Sequence, residues 1–541
     1  MKRSSTTHFL LLIVLTLPVW GQASSSQNDG SRKGAASAGT EGGATDASIA
    51  TLLLSGDAAP DGNGNFLMPE LPTINENGQV AAVIALSDTA MPNVDDSGIY
   101  IFDAHGASKL VRTGEPVPNG NGVFDRFSDV LDVLLAAVND NGSVAFIAEL
   151  NGTTGGSSAD GGPIVLDNLG IFGASVAEGV TEYVRLTDPA PDANGMFGPR
   201  ASEPFESAFS QPGIDNENRV TFRGYLTDTS GGEDRADLRV DAFDWENAAD
   251  RVAIEALLDT DLGDPEDPAQ RIYVASDGGI EEVFVEGGIP PDGDGKILGL
   301  SKTRIAENGN ITFEGLVGET KLFDDFGSRI FFYDGITLSE IARQNDVPPG
   351  ETDPTNPYEY RQFTFDSNNR DEVAFAARLG RDVPPFEDSG IYRWNGSEVV
   401  EVVRQGDPAP GGIGTFDDVF HDVFLNDNGQ IAFWAPIADV GEFGEEGVFV
   451  AEASGVIHRV VQSGEMLNGA QVTGVDFAGK GLPFRGPIPR LAGMKAINNS
   501  GQLAFRATLD FATWGLFLWG SDEIFSGGFE DGTLAGWGSG P

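Results

Sequence analysis

Four short loops hold the residues best suited to chemistry: Pro60-Asp61-Gly62-Asn63-Gly64, Pro118-Asn119-Gly120-Asn121-Gly122, Pro191-Asp192-Ala193-Asn194-Gly195 and Pro291-Asp292-Gly293-Asp294-Gly295. Alternating Asp and Asn oxygens suit a hard cation such as Ca²⁺. Asp61, Asn63, Asn119, Asn121, Asp192, Asn194, Asp292 and Asp294 are therefore candidate metal ligands. The EF-hand loop with its closing Glu is absent from all four. Pro-Asx-Gly is equally the chemistry of a β-turn, so a calcium loop and a plain turn both fit. Carboxylates are dense in the stretch from Thr227 to Gln270, among them Asp234, Asp241, Glu246, Asp259 and Glu266. A pair for glycoside hydrolysis is compatible with such a supply, but no spacing selects one, and a solvated acidic face is the simpler reading. His105, His421 and His458 lie far apart, and no zinc, nucleophile-elbow, P-loop or dinucleotide motif occurs. The sequence thus predicts a protein without catalytic machinery.

Composition narrows the partners. Of 541 residues, 83 are acidic and 33 basic, for a net charge of −50. That argues against nucleic acid and against anionic lipid, both of which need a basic face. The absence of Cys removes disulfides and thiolate metal sites. The 72 Gly and 30 Pro fit a turn-rich all-β chain rather than a helical one. Self-repulsion at this charge is relieved by salt, which suggests a saline medium. Lys2 and Arg3, the apolar run Phe9 to Val19 and the small residues Gly21 and Ala23 form a secretory signal layout, with 1–23 removed. Residues 24–48 are a flexible Ser/Gly/Ala linker. No later stretch has the apolar length of a membrane span, so a soluble protein outside the cytoplasm is expected.

The candidate loops sit inside a repeat. N-x-x-G-x-(V/I/L)-A-F or a close variant starts at Asn75, Asn139, Asp215, Ala306, Asn368, Asn426 and Asn498. Two further phrases keep step with it. One is G-(I/V/L)-(Y/F), as at Gly98-Ile99-Tyr100 and Gly390-Ile391-Tyr392, with weaker copies at Arg271 and Arg329. The other is a strand ending in G-(D/E), as at Gly56-Asp57 and Gly406-Asp407. The Gly of N-x-x-G is expected at positive φ, because its substitutes are Asn218 and Asp371, the side chains that tolerate that region best. The strand that follows alternates Val144, Phe146, Ala148 and Leu150 on one face, with Ala145 opening the other, so it should be packed on both sides.

About four strands in each of seven units predict an all-β, seven-bladed β-propeller-like ring over residues 49–520, with an open β-repeat array as the alternative. The last strand near Gly515 lacks its successor, which the first strand near Thr51 would supply. Residues 227–270 read as an acidic insertion with a degenerate echo at Asn247 to Ile254. The connections at 151–169, 226–270 and 380–389 should gather on one face.

The tandem phrase resembles the bacterial family of choice-of-anchor tandem repeat NxxGxxAF-containing proteins, over about residues 49–520. Ala82 replaces the final Phe once, and Asn218 and Asp371 replace the Gly. The resemblance implies a secreted or surface protein with a variable C-terminal sorting segment, and it supplies no catalytic residue. Residues 521–541 also resemble short exported tails, through Phe529-Glu530-Asp531-Gly532 and Trp537. The expected function is an exported binding or display module for a polysaccharide or protein ligand. The competing readings are a carbohydrate-active enzyme and a structural envelope component.

Overall fold

The computed structural model describes residues 49–520 apart from 128–136, 155–166, 190–195, 199–208, 210–211, 223, 225, 228–238, 247–250, 258–269, 277–278, 307, 319–325, 352–356, 382–386, 412–413, 420, 439–444 and 478–494. The signal segment, linker and C-terminal tail lie outside the described residues. Every regular element described is a β-strand.

Each N-x-x-G phrase is a hairpin turn. The Gly positions have φ of 76° at Gly78 and 75° at Gly142, and the substitutes Asn218 and Asp371 sit at 62° and 61°. Where the first residue is Asn or Asp, its side chain caps the turn from inside, as when Asn139 Oδ1 accepts from the Ser143 N–H at 2.9 Å. G-(I/V/L)-(Y/F) has a different cause. A Cβ on Gly98 would lie 2.7 Å from the Tyr100 ring, and one on Gly390 would lie 2.7 Å from Tyr392 Oη. The aromatic side chain folds back over the Gly two residues before it. Where Arg329 takes the Gly position, Phe331 lies instead over Gly315 of the paired strand.

Among the described residues, these hairpins and the insertion build seven antiparallel sheets of four or five strands, with two short ladders beside them. The first (Asn65–Pro69, Thr73–Ile74, Val80–Ser87, Ser97–Asp103, Gly106–Arg112) and the second (Val123–Arg126, Ala137–Val138, Val144–Asn151, Leu169–Ser175, Gly179–Arg185) follow the predicted unit. So do the fourth (Lys296–Ile305, Ile311–Gly318, Phe326–Tyr333, Leu338–Arg343), the fifth (Glu359–Ser367, Val373–Gly380, Glu387–Trp394, Val399–Arg404) and the sixth (Thr415–Phe416, Phe424–Leu425, Ile431–Ala438, Glu445–Ala451, Ile457–Gln462). The seventh joins the chain's two ends: Ile49–Leu54 pairs with Thr513–Trp519, then Leu503–Leu509, Ala470–Asp476 and Met466–Leu467 follow.

The third unit departs from expectation. Its Val220–Thr221 strand pairs with Gly213–Ile214, and Met196–Phe197 pairs with Leu226–Thr227, as two short ladders. The third sheet is made by the insertion. Arg239–Glu246 and Arg251–Leu257 pair in order with Gln270–Ser276 and Gly279–Val285. The echo strand thus takes the partner that Val220–Thr221 was expected to have, with Ile254 opposite Tyr273. Arg239–Glu246 and Arg251–Leu257, inside the supposed insertion, are therefore sheet rather than loop.

In the first and second sheets both faces of the central strand are packed, as alternation requires. Val144, Phe146, Ala148 and Leu150 share a core with Ala81, Val83, Ile99 and Ile101 of the first sheet. Ala145 and Ile147, on the other face, share one with Phe197, Phe209 and Phe222. The first sheet also packs on the seventh, where Val80, Ala82 and Ile84 meet Ala504, Leu516 and Leu518. Fully burying an apolar side chain of this size contributes about 1.5–3 kcal/mol.

The turns are tied to one another. Asn75 Nδ2 donates to Asn139 O at 2.7 Å, and Asn139 Nδ2 to Asp215 O at 2.6 Å. Asn368 Nδ2 reaches Asn426 O and Asn426 Nδ2 reaches Asn498 O, both at 2.9 Å. Asn498 Nδ2 returns to Asn75 O at 3.1 Å. The two turns that lack an Asn donor at this position, Asp215 and Ala306, flank the third sheet.

Candidate functional site

The Asx-Gly loops leave each sheet after its G-(D/E) phrase and enter the next. Gly56 N–H donates to Phe66 O at 2.8 Å and Gly114 N–H to Phe124 O at 2.7 Å. This hairpin pushes the Asx residues outward to meet the connection between the second and third strands of the following sheet. Asn63 Nδ2 donates to Asp95 Oδ2 at 2.7 Å, and Asn63 Oδ1 accepts from Ala90 N–H at 2.7 Å. Asn121 Nδ2 donates to Asp167 Oδ2 at 2.8 Å, and Asn121 Oδ1 accepts from Thr154 N–H at 2.7 Å. For these described loops, two families of connection share one face.

The cation in these loops is an arginine. Arg112 ends Gly106–Arg112, the last strand of the first sheet; its Nη1 donates to Asn63 O at 2.7 Å and lies 3.4 Å from Asp61 Oδ2. Arg185, in the same place in the second sheet, donates to Asn121 O at 2.8 Å and to Asn119 Oδ1 at 3.4 Å. Arg329 and Arg343 of the fourth sheet hold both Asp292 and Asp294. Each loop also closes on itself as an Asx turn, with Asn121 N–H on Asn119 Oδ1 at 2.9 Å and Asp294 N–H on Asp292 Oδ1 at 3.0 Å. Burial pushes the Asp292 carboxyl up, but the Asp294 N–H and the two guanidinium groups hold it below the usual range. The oxygens a calcium ion would draw on are thus engaged, and the geometry of the described loops favours arginine-clasped turns. Asp192 and Asn194 lie outside the described residues. The signal for this was an arginine recurring just before the G-(D/E) phrase, at Arg112, Arg185, Arg343 and Arg404.

The fifth sheet does something different with that arginine. Arg404 Nε donates to Asp388 Oδ2 at 2.8 Å and its Nη2 to Glu351 Oε2 at 3.0 Å, with Glu401 at 3.8 Å. Tyr358 lies beneath two guanidinium groups, with Arg381 at 4.1 Å and Arg404 at 5.0 Å from the ring centroid. Burial pushes the carboxyls of Asp388 and Glu401 up, and Arg404 opposes it. The hydroxyls of Tyr360 and Tyr392 are buried and make no hydrogen bond. Burial pushes both of them up strongly. Raised carboxyls beside a tethered guanidinium can donate a proton as well as accept one.

A second polar region lies at the N-x-x-G turns. A cavity of ≈ 20 Å³, room for about one water, is bounded by Glu76, Asp366, Asn369, Asp427, Lys495 and Asn499. Its groups satisfy one another. Lys495 Nζ is 3.0 Å from Glu76 Oε1, and Asp427 Oδ2 accepts from Asn369 Nδ2 at 3.0 Å and Asn499 Nδ2 at 2.8 Å. This is a hydrogen-bonded seam between sheets.

No curated protein matches the chain. Among solved structures it is similar to the β-propeller domain of the Trilobed protease from Pyrococcus furiosus, at 12% identity and a TM-score of 0.32 over 73% of this chain and 96% of that one. It is also similar to polysaccharide lyase Uly1, at 10% identity and a TM-score of 0.36 over 86% and 94%. A third likeness is to Penicillium chrysogenum α-L-arabinanase, at 14% identity and a TM-score of 0.24 over 53% and 96%. A family model matches residues 25–240 and again 237–521, together almost the whole repeat region, and the chain belongs to that family, a family of unknown function (DUF7453).

Proposed function

We propose that this chain is an exported, non-catalytic binding module, a ring of sheets that displays its loop face to a polysaccharide or protein ligand outside the cell. Four features support the ring: the pairing of Ile49–Leu54 with Thr513–Trp519, the core shared by the first and seventh sheets, the Asn498 to Asn75 hydrogen bond and the seven-unit sequence. The observation that carries the function is the arginine clasp. Asp61, Asp292 and Asp294 on the loop face are held by guanidinium groups, an arrangement that fixes loop shape. Export and the resemblance to the NxxGxxAF repeat family belong to the same reading, with the tail at 521–541 as the attachment segment.

The fifth-sheet cluster favours a second reading, a carbohydrate-active enzyme using Asp388, Glu401 or Glu351, because two of these carboxyls are raised by burial. One experiment separates the two. The full chain is incubated with insoluble cellulose, xylan and chitin, and both retained protein and released reducing ends are measured. Retention without release supports the binding module. Release that Asp388→Asn abolishes establishes the enzyme. Neither retention nor release leaves the structural envelope role. Millimolar Ca²⁺ in place of EDTA should leave Tm unchanged, whereas one calcium site at 100 times its Kd would add about 2.7 kcal/mol.

A further inference from the structure

The chain displays two settings of one side chain. In the first sheet Arg112 Nη2 donates to Tyr100 Oη at 2.9 Å. Arg112 stands opposite Gly98, and the Tyr100 ring covers that Gly. In the fifth sheet Arg404 stands opposite Gly390, and the Tyr392 hydroxyl covers that Gly. The backbone framework is the same, yet the guanidinium of Arg404 is turned to Asp388 and Glu351, and Tyr392 Oη is left without a hydrogen bond at 0% exposure. A buried hydroxyl without a partner is costly, so a guanidinium released by its carboxylates has a partner waiting at Tyr392 Oη.

We propose that Arg404 is a two-position switch, held by Asp388 and Glu351 and passing to Tyr392 Oη when protonation of Asp388 loosens that hold. The charge balance supports the direction. Three carboxylates face Arg404: Glu351 on the connection into the sheet, Asp388 at the start of the third strand and Glu401 on the fourth. Asp407, just beyond the fourth strand, also faces Glu401. Among the described residues, Arg381, stacked on Tyr358, is the other cation placed against the cluster. Protonating Asp388 removes the negative charge that strengthens the Nε–H bond and so weakens the hold on the guanidinium, while the hydroxyl of Tyr392 still needs a partner. Glu351 is tied to Tyr358 N–H at 3.2 Å, so its release also frees the entry to the first strand. Acidification would therefore change the loop face at this one sheet.

The test uses tyrosine resonances. The chain has eight tyrosines, so ¹³Cζ-tyrosine labelling of the full-length protein gives eight signals, and Tyr392→Phe and Tyr100→Phe assign the two that matter. Between pH 8 and pH 5 the Tyr392 signal should move toward the Tyr100 position, and the Tyr100 signal should stay. Asp388→Asn should place the Tyr392 signal at the acid position already at pH 8. Arg404→Met should abolish the movement. If Asp388→Asn does not fold, Glu351→Gln replaces it with the same expectation. A Tyr392 signal constant across the range, or one that moves equally in Arg404→Met, overturns the switch.

Discussion

The first and fifth sheets are built on one plan and differ in what their terminal arginine holds. In the first, Arg112 joins the Tyr100 hydroxyl to the carbonyl of Asn63, and burial pushes that hydroxyl up to about 12. In the fifth, the entering connection carries Glu351 and the third strand begins at Glu387 with Asp388 beside it, so Arg404 is drawn away from Tyr392. The repeat fixes backbone, aromatic core and an Asp two residues before the Gly (Asp96, Asp388), while Glu351, brought in by the connection into the fifth sheet, adds a second carboxylate to the arginine. The electrostatics can therefore vary from sheet to sheet on one backbone plan.

The comparison is most sharply tested by removing each arginine. Arg404→Met strands Asp388 and Glu351 in a nearly buried site, and should cost about 3–5 kcal/mol at pH 7. The deficit should shrink toward pH 5. The Asp388 pKa is already raised, so its protonated form is the one the fold prefers; stability is present at low pH and lost as pH rises through that pKa. Denaturant unfolding of both proteins at the two pH values checks magnitude and sign together. Arg112→Met leaves a hydroxyl and a carbonyl unpaired but no fully buried charge, so about 2 kcal/mol is expected, with little pH dependence.

The tyrosines come next in size. Tyr100→Phe removes a bonded hydroxyl and should cost about 1 kcal/mol. Tyr392→Phe at pH 8 should be neutral or slightly stabilising, since its hydroxyl has no hydrogen bond to lose. Equal losses at both positions would break the contrast. The smallest effect concerns the G-(D/E) turn of the second sheet, where Thr187 adopts a φ of 75° although Gly occupies that place at 56, 114, 406 and 464. Thr187→Gly should gain up to about 1 kcal/mol, visible as a raised denaturation midpoint.

Much of this was legible in the sequence, for local reasons. The positive φ of the N-x-x-G turn could be read from Asn218 and Asp371 because a turn depends on four neighbouring residues. Two-sided packing could be read from alternation within one strand. The seventh sheet could be read from the phase of the repeat at its two ends. What escaped depended on distance along the chain. The arginine that clasps Asn63 is 49 residues away, and the one that clasps Asn121 is 64 away. A loop rich in Asx was therefore compatible with calcium as well as with a turn. The exchange of strand partners in the third unit was hidden differently. Arg251–Leu257 and Val220–Thr221 carry nearly the same pattern, and only the paired structure shows which one Gln270–Ser276 chooses.

The pairing of Ile49–Leu54 with Thr513–Trp519 also constrains how the molecule comes into being. The seventh sheet cannot form until the whole chain is available, because its two halves are made at opposite ends of synthesis. Contacts of such separation are slow to find, and Ile49–Leu54, made first, must wait without its partner strand. A chain that crosses a membrane before folding escapes that wait, since both ends reach the far side before the last sheet is assembled. A protein cut short anywhere before residue 513 would keep an unpaired first strand, marking it for aggregation or proteolysis.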